Sequence, residues 1–335
     1  MKNLTLKLAV FSALGLVAGQ AMSLGFESLP VAGFAVASGG AGSHQPTGGT
    51  TPYLLCNQTG NYGSTIGGAI APTAGANNTC AIVPAPASTL TSPVAGFTLV
   101  TSANRTVTMN NPLTVAGGVN IGTLVDVVFR NAAKTECIYG MQISLTNVDY
   151  DNTRAGSQTF DMTGAARGGF STSGTVTAAY ARISATSDVV YRAGRTFTTV
   201  QHRAVLPTGS PTFAPGYYNL PLTPGSVASV NGVNASALSV PLAADQTANA
   251  NANWVEFTTD VNSVDPDGST RPFSPMLYVR AACTAAAPVA VSDAIRLRQT
   301  YQEQGTSQEF VEVRVSGFVP PGGTATPAVV PGSKF

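Results

Sequence analysis

The sequence predicts an all-β protein, an antiparallel β-sandwich or jelly roll preceded by a Gly/Ala/Thr-rich N-terminal segment. Three observations carry that expectation. Several short runs alternate apolar or β-branched residues with polar ones. Clusters rich in Gly, Pro, Asn and Asp (NVDYDNTRAGS, PTGSPTFAPG, VDPDGST) separate those runs. Beyond the first residues, no stretch spaces its apolar side chains as a helix would.

The chain opens with MKNLTLKLAVFSALGLVAGQA, which reads as an export signal over residues 1–21. Lys2 and Lys7 supply the positive start and residues 8–18 the apolar middle. Small residues place cleavage after Ala21 or Ser23. The apolar run is shorter than the ~20 residues a membrane-spanning helix needs, and no later run is longer, so no transmembrane helix is expected.

Residues 22–104 form an uncharged, β-prone segment; residues 28–104 contain no Asp, Glu, Lys or Arg. The pentapeptide PVAGF occurs in it twice, at residues 30–34 and 93–97. Each Pro is expected to start a strand, where its missing N–H matters least. One reading is chance repetition in a chain rich in Ala, Gly and Val, or two ordinary strands of one sheet. The other gives the first copy an assembly role, with Val31, Phe34 and Val36 entering a groove of a neighbouring subunit by strand donation.

Residues 105–319 form the expected main β domain, and residues 320–335 a Pro/Gly-rich tail. Strands are predicted over residues 123–130, 195–202, 254–259, 294–301 and 310–318, with CIYGMQISL and MLYVRAAC as two more. In residues 294–301, Ile295, Leu297 and Tyr301 line one face and Arg296, Arg298 and Thr300 the other. Val311, Val313 and Val315 likewise oppose Glu312, Arg314 and Ser316. The arginines are expected on solvated faces or as cross-strand partners of Asp and Glu.

Charge limits the partners. Charged residues make up 10% of the chain, against about 25% in typical soluble proteins. Without Lys2 and Lys7, 15 basic and 16 acidic residues remain, a net charge of −1. No basic cluster exists, which argues against a nucleic-acid partner. Four cysteines, Cys56, Cys80, Cys137 and Cys283, are candidates for disulfides in an exported chain. Three pairings are possible, and the one between near neighbours joins Cys56 to Cys80 and Cys137 to Cys283.

Catalytic patterns are scarce. His44 lies in a Gly-rich stretch and His202 beside Arg203 in a strand-like run, neither suited to a hydrolase base. Ser171 lacks the glycine that a nucleophile elbow requires two residues on. Asp149, Asp151 and Asp260 form no recognisable catalytic pair, and Trp254 is the single Trp that could platform a sugar, beside Tyr217 and Tyr218. Asp265 and Asp267 are weak calcium candidates. Asp265-Pro266-Asp267-Gly268 fits a type I hairpin turn better than an EF-hand loop. Calcium is therefore the one cofactor left open, and no phosphate-binding glycine motif occurs.

These observations favour a non-enzymatic, exported structural or cell-surface protein that acts by self-assembly or adhesion, with copies of itself or other surface proteins as partners. A secreted carbohydrate-binding module or polysaccharide-active enzyme, with a glycan as ligand, is the alternative. An outer-membrane β-barrel is a further one, although 22 prolines and 7% aromatic residues fit it poorly.

Overall fold

Period-2 alternation builds two six-stranded antiparallel sheets. The computed structural model describes residues 25–35, 50–55, 81–110, 114–152, 155–184, 186–190, 192–197, 199–203, 216–220, 250–264, 270–299 and 311–325. No helix occurs among them, hence none long and apolar enough to cross a membrane. The first sheet runs, in spatial order, β1 (Glu27–Leu29), β9 (Val176–Ala181), β14 (Met276–Ala282), β7 (Glu136–Leu145), β6 (Val119–Asn131) and β5 (Phe97–Met109). The second runs β16 (Val311–Val319), β15 (Val289–Gln299), β8 (Asp161–Gly168), β13 (Trp254–Asn262), β10 (Arg192–Gly194) and β4 (Tyr53–Leu55). Two small pairs complete the set: β2 (Phe34–Ala35) with β3 (Thr50–Thr51), and β11 (Thr199–Arg203) with β12 (Gly216–Leu220).

The sheets pack face to face, as a sandwich does. Leu124, Val128, Tyr139 and Met141 of the first share one buried apolar cluster with Ala165, Phe257, Leu297 and Val313 of the second. Among the described strands neither sheet closes on itself. The outer face of the first sheet is also partly covered: Phe26, Val83, Val94 and Phe97 pack on Val127, Phe129, Ile138, Met276 and Tyr278. Burying these rings and branched chains stabilises the fold by about 1.5–3 kcal/mol per side chain.

The outer face of the second sheet departs from the alternation reading. Of the two expectations for the arginines, water or a cross-strand acid, Arg296 and Arg298 follow the second: both pair with Glu312, Arg298 directly across the strands, and both are fully buried, as are Glu256 and Trp254 on the same face. Register explains the grouping: Arg296 sits opposite Ala166, and Ala166 opposite Glu256. Small residues in β8 make room, since a Cβ on Gly168 would lie 3.0 Å from the Trp254 ring. Phe197 stacks edge-on against Trp254 with centroids 4.9 Å apart. A second apolar layer thus covers a face that period-2 reasoning assigns to solvent.

The two PVAGF copies are turns. The Gly33 amide donates to the Pro30 carbonyl (3.0 Å) and the Phe97 amide to the Val94 carbonyl (3.4 Å). Gly33 and Gly96 both take positive φ, 78° and 81°, which glycine adopts without strain. Each strand therefore starts at the Phe and not at the Pro. β5 continues through residue 104, and β1 and β4 join the two sheets. The run over 195–202 is divided: β10 ends at Gly194 and β11 begins at Thr199. Between them Arg195 turns inward and donates to the carbonyls of Gly174 (2.6 Å), Phe170 (3.2 Å) and Ala252 (2.9 Å).

Candidate functional site

Cys137 and Cys283 form a disulfide that joins the start of β7 to the residue just beyond β14, its neighbour in the sheet. Cys56, Cys80, Val36, His44, Asp265 and Asp267 lie outside the described residues. Val31 sits on the first PVAGF turn, 46% exposed. Phe34 opens β2 opposite Thr51 and packs, half-buried, against the chain's own core. Asp149 braces a loop, its Oδ1 accepting the amides of Asp151 and Gln158 (both 3.1 Å). Among the described residues no group of three or more His, Cys, Asp or Glu could hold a metal. Trp254 is buried beneath Phe197 and presents no ring to a sugar.

The structure brings together charges that the sequence leaves scattered. In the sandwich interior, Asp126 of β6 accepts from Arg167 Nη2 of β8 (2.5 Å) and from Arg105 Nη2 of β5 (3.0 Å). Asp126 Oδ2 also accepts the Phe318 amide of β16 (2.8 Å), while Arg167 Nη1 donates to the Phe318 carbonyl (2.9 Å). One carboxylate thereby links both sheets. The Arg105 guanidinium lies 5.0 Å above the Phe318 ring, a further tie between β5 and β16.

A second centre occupies the outer face of the second sheet. Glu312 accepts from Arg296 Nη1 (2.7 Å), Arg298 Nε (2.9 Å) and Arg314 Nε (3.3 Å). Burial alone would raise the Glu312 pKa, but Arg298 and Arg296 beside it hold it below the ordinary carboxylate value. Burial lowers that of Arg296, against the pull of Glu312. Arg298 also donates to the Phe197 carbonyl, and its guanidinium stands 4.5 Å from the Phe197 ring. A third buried acid, Asp188, accepts the Asp260 amide (2.8 Å) and lies 3.6 Å from Arg271 Nε. Desolvation nevertheless pushes its pKa up to about 6.

These centres remove charge from the surface. Among the described residues with placed side chains, Lys134 and Asp149 are the only charged ones that are exposed. The rest are buried or half-buried, mostly in ion pairs or on backbone carbonyls. The exterior they leave is rich in Thr, Ser, Asn, Gly and Ala, and Val31, Leu90, Leu99, Val115, Val264, Phe273 and Val289 are exposed among them.

That neutrality matters most at the sheet borders, where backbone N–H and C=O groups can accept another strand. β1 and β4 close one side with three residues each. On the other side stand the long strands β16 and β5. At Phe318 the backbone of β16 is engaged by Asp126 and Arg167. β5 has 13 residues and pairs with β6 alone among the described strands. Its sequence, FTLVTSANRTVTM, contains no Lys, no Pro and one charge, Arg105, which is turned to Asp126. Ser102, Asn104, Thr106 and Thr108 face outward in alternation. The candidate site is this border. Its signal in the sequence is the Ser/Asn/Thr alternation after the second PVAGF, which a reading by charge cuts in two at residue 104. Comparison of the chain with protein-family models, curated proteins and solved structures returned no match.

Proposed function

We propose that this is an exported structural protein of the cell surface that works by self-assembly. The observation that carries the reading is the placement of charge: among the described residues with placed side chains, every charged residue except Lys134 and Asp149 is buried or half-buried. Proteins near zero net charge repel one another little and associate readily. A net charge near zero suits packing into a layer or filament, and a 13-residue border strand whose one charge, Arg105, is turned to Asp126 supplies a place for such contact. The Cys137–Cys283 disulfide fits an oxidising, extracytoplasmic compartment, and the N-terminal leader provides the route there.

Light scattering on the purified secreted chain over a hundredfold concentration range, with electron microscopy of the concentrated samples, tests the proposal. Particle mass should rise with concentration, and ordered sheets or filaments should form. A monomer at every concentration would overturn it.

A further inference from the structure

We propose that two copies of this chain pair antiparallel through β5, about a twofold axis at Asn104, so that their first sheets merge into one. The inference rests on the assembly reading and supplies its partner, a second copy.

Regularity of the strand fixes the centre. Register shifts interrupt the β5–β6 ladder between Leu99 and Thr101 and again between Val107 and Thr108. Between them, Thr101 to Val107 pairs without a break opposite Val128 to Gly122. Bulges twist a border away from a would-be partner, so the straight piece between two bulges is the part that can accept one. Asn104 is its midpoint.

Side chains agree with that centre. On the outward face, Ser102 of one copy meets Thr106 of the other, Asn104 meets Asn104, and Thr106 meets Ser102. Hydroxyl and amide pairs of this kind stabilise neighbouring antiparallel strands. On the inward face Ala103, the smallest side chain of the stretch, falls opposite Arg105. The two arginines lie on opposite sides of the axis, each neutralised by its own Asp126 at 3.0 Å. No like charges therefore meet, and the net charge of −1 on each exported copy adds little repulsion. The isologous contact closes on itself as a dimer, which makes it the building block of the larger assembly. Among the described borders of the two large sheets, β1 and β4 are three residues long, and the β16 backbone is engaged at Phe318.

Sedimentation velocity over a concentration series, on the full secreted chain, compares wild type with S102K/T106K and S102K/T106E. Both positions are exposed, so all three proteins should melt at closely similar temperatures. S102K/T106K sets two lysines directly opposite two lysines and should weaken the dimer at least tenfold. S102K/T106E sets each lysine opposite a glutamate and should restore it. A wild type that associates while S102K/T106K associates equally well overturns pairing through β5 and leaves the assembly reading to another surface. Loss in both variants, with melting unchanged, overturns the antiparallel register about Asn104. A wild type that stays monomeric removes the dimer and the assembly reading together.

Discussion

β16 and β5 end the two sheets on the same side of the sandwich, and they are finished in opposite ways. At β16 the opposite layer reaches across: Asp126 accepts the Phe318 amide and Arg167 donates to its carbonyl, so that backbone position is satisfied within the molecule. At β5 a strand of similar β propensity is left with neutral side chains and one arginine that turns inward. The difference teaches where a chain with few charges uses them. Ion pairs between exposed residues contribute little. A buried carboxylate serving two arginines and a backbone amide fixes how one sheet sits on the other.

Asp126→Ala should break that comparison hardest. It leaves the fully buried Arg167 without its anion and the Phe318 amide without its acceptor, a loss of about 3–5 kcal/mol. Denaturant titration reads it directly. Asp126→Leu combined with Arg167→Met should recover much of that loss, because the uncompensated charge is gone while the volume is kept. A loss below about 1 kcal/mol for Asp126→Ala would mean that Phe318 holds β16 in place by packing alone.

Cys137→Ser with Cys283→Ser should rank next. The bond closes a loop across a sequence separation of 146 residues, and its removal should cost roughly 2–5 kcal/mol. It ties β7 to β14, well inside the first sheet, so it should lower the melting temperature and leave the dimer constant untouched. A change in association without a change in melting would relocate the contact from the border to the middle of the sheet.

Asp188 gives a pH dependence of known sign. Its pKa is raised by burial to about 6, so the folded chain holds the proton more tightly than the unfolded one. Its contribution is most favourable below the unfolded value near 4 and is lost as pH rises through about 6. Asp188→Asn cannot ionise, and its carbonyl can still accept the Asp260 amide. Relative to wild type it should gain on the order of 2 kcal/mol between pH 4 and pH 7. A flat difference across that range would show that Arg271, at 3.6 Å, neutralises the carboxylate fully.

Alternation made β16 readable, with Val311, Val313 and Val315 on its core face, while β7 and β14 stood out as apolar runs that are buried on both faces. For Arg296 and Arg298 the rule allows the acid partner they have in Glu312 but not their burial. A period of two separates faces but does not say what lies over the second one, and there it is Phe197 and Trp254. β8 (DMTGAARG) escaped notice since its core positions are small: glycine and alanine are needed beneath the Trp254 ring and beside two arginines. The PVAGF strands began too early, because Pro was weighed above a Gly three residues on, whose positive φ closes the turn. The border at β5 was hidden for a different reason. Pairing is a property of the whole sheet, and no local pattern says which strand comes last.

Arg105→Met carries the smallest effect on stability and sharpens the comparison most. Arg105 is 18% exposed in its side chain and shares Asp126 with the better-buried Arg167, so its removal should cost only about 0.5–1 kcal/mol. Methionine can keep part of the packing on Phe318. The border would then carry no charge at all. If charge is what restrains strand addition, as guard residues do elsewhere, the variant should associate more tightly than wild type, while Arg105→Lys stays close to it. Sedimentation beside melting curves separates the two effects. Tighter association at nearly unchanged stability would make Arg105 the one remaining guard of β5. Association that is unchanged would mean that the arginine, turned inward to Asp126, is already absent from the surface that a second strand meets.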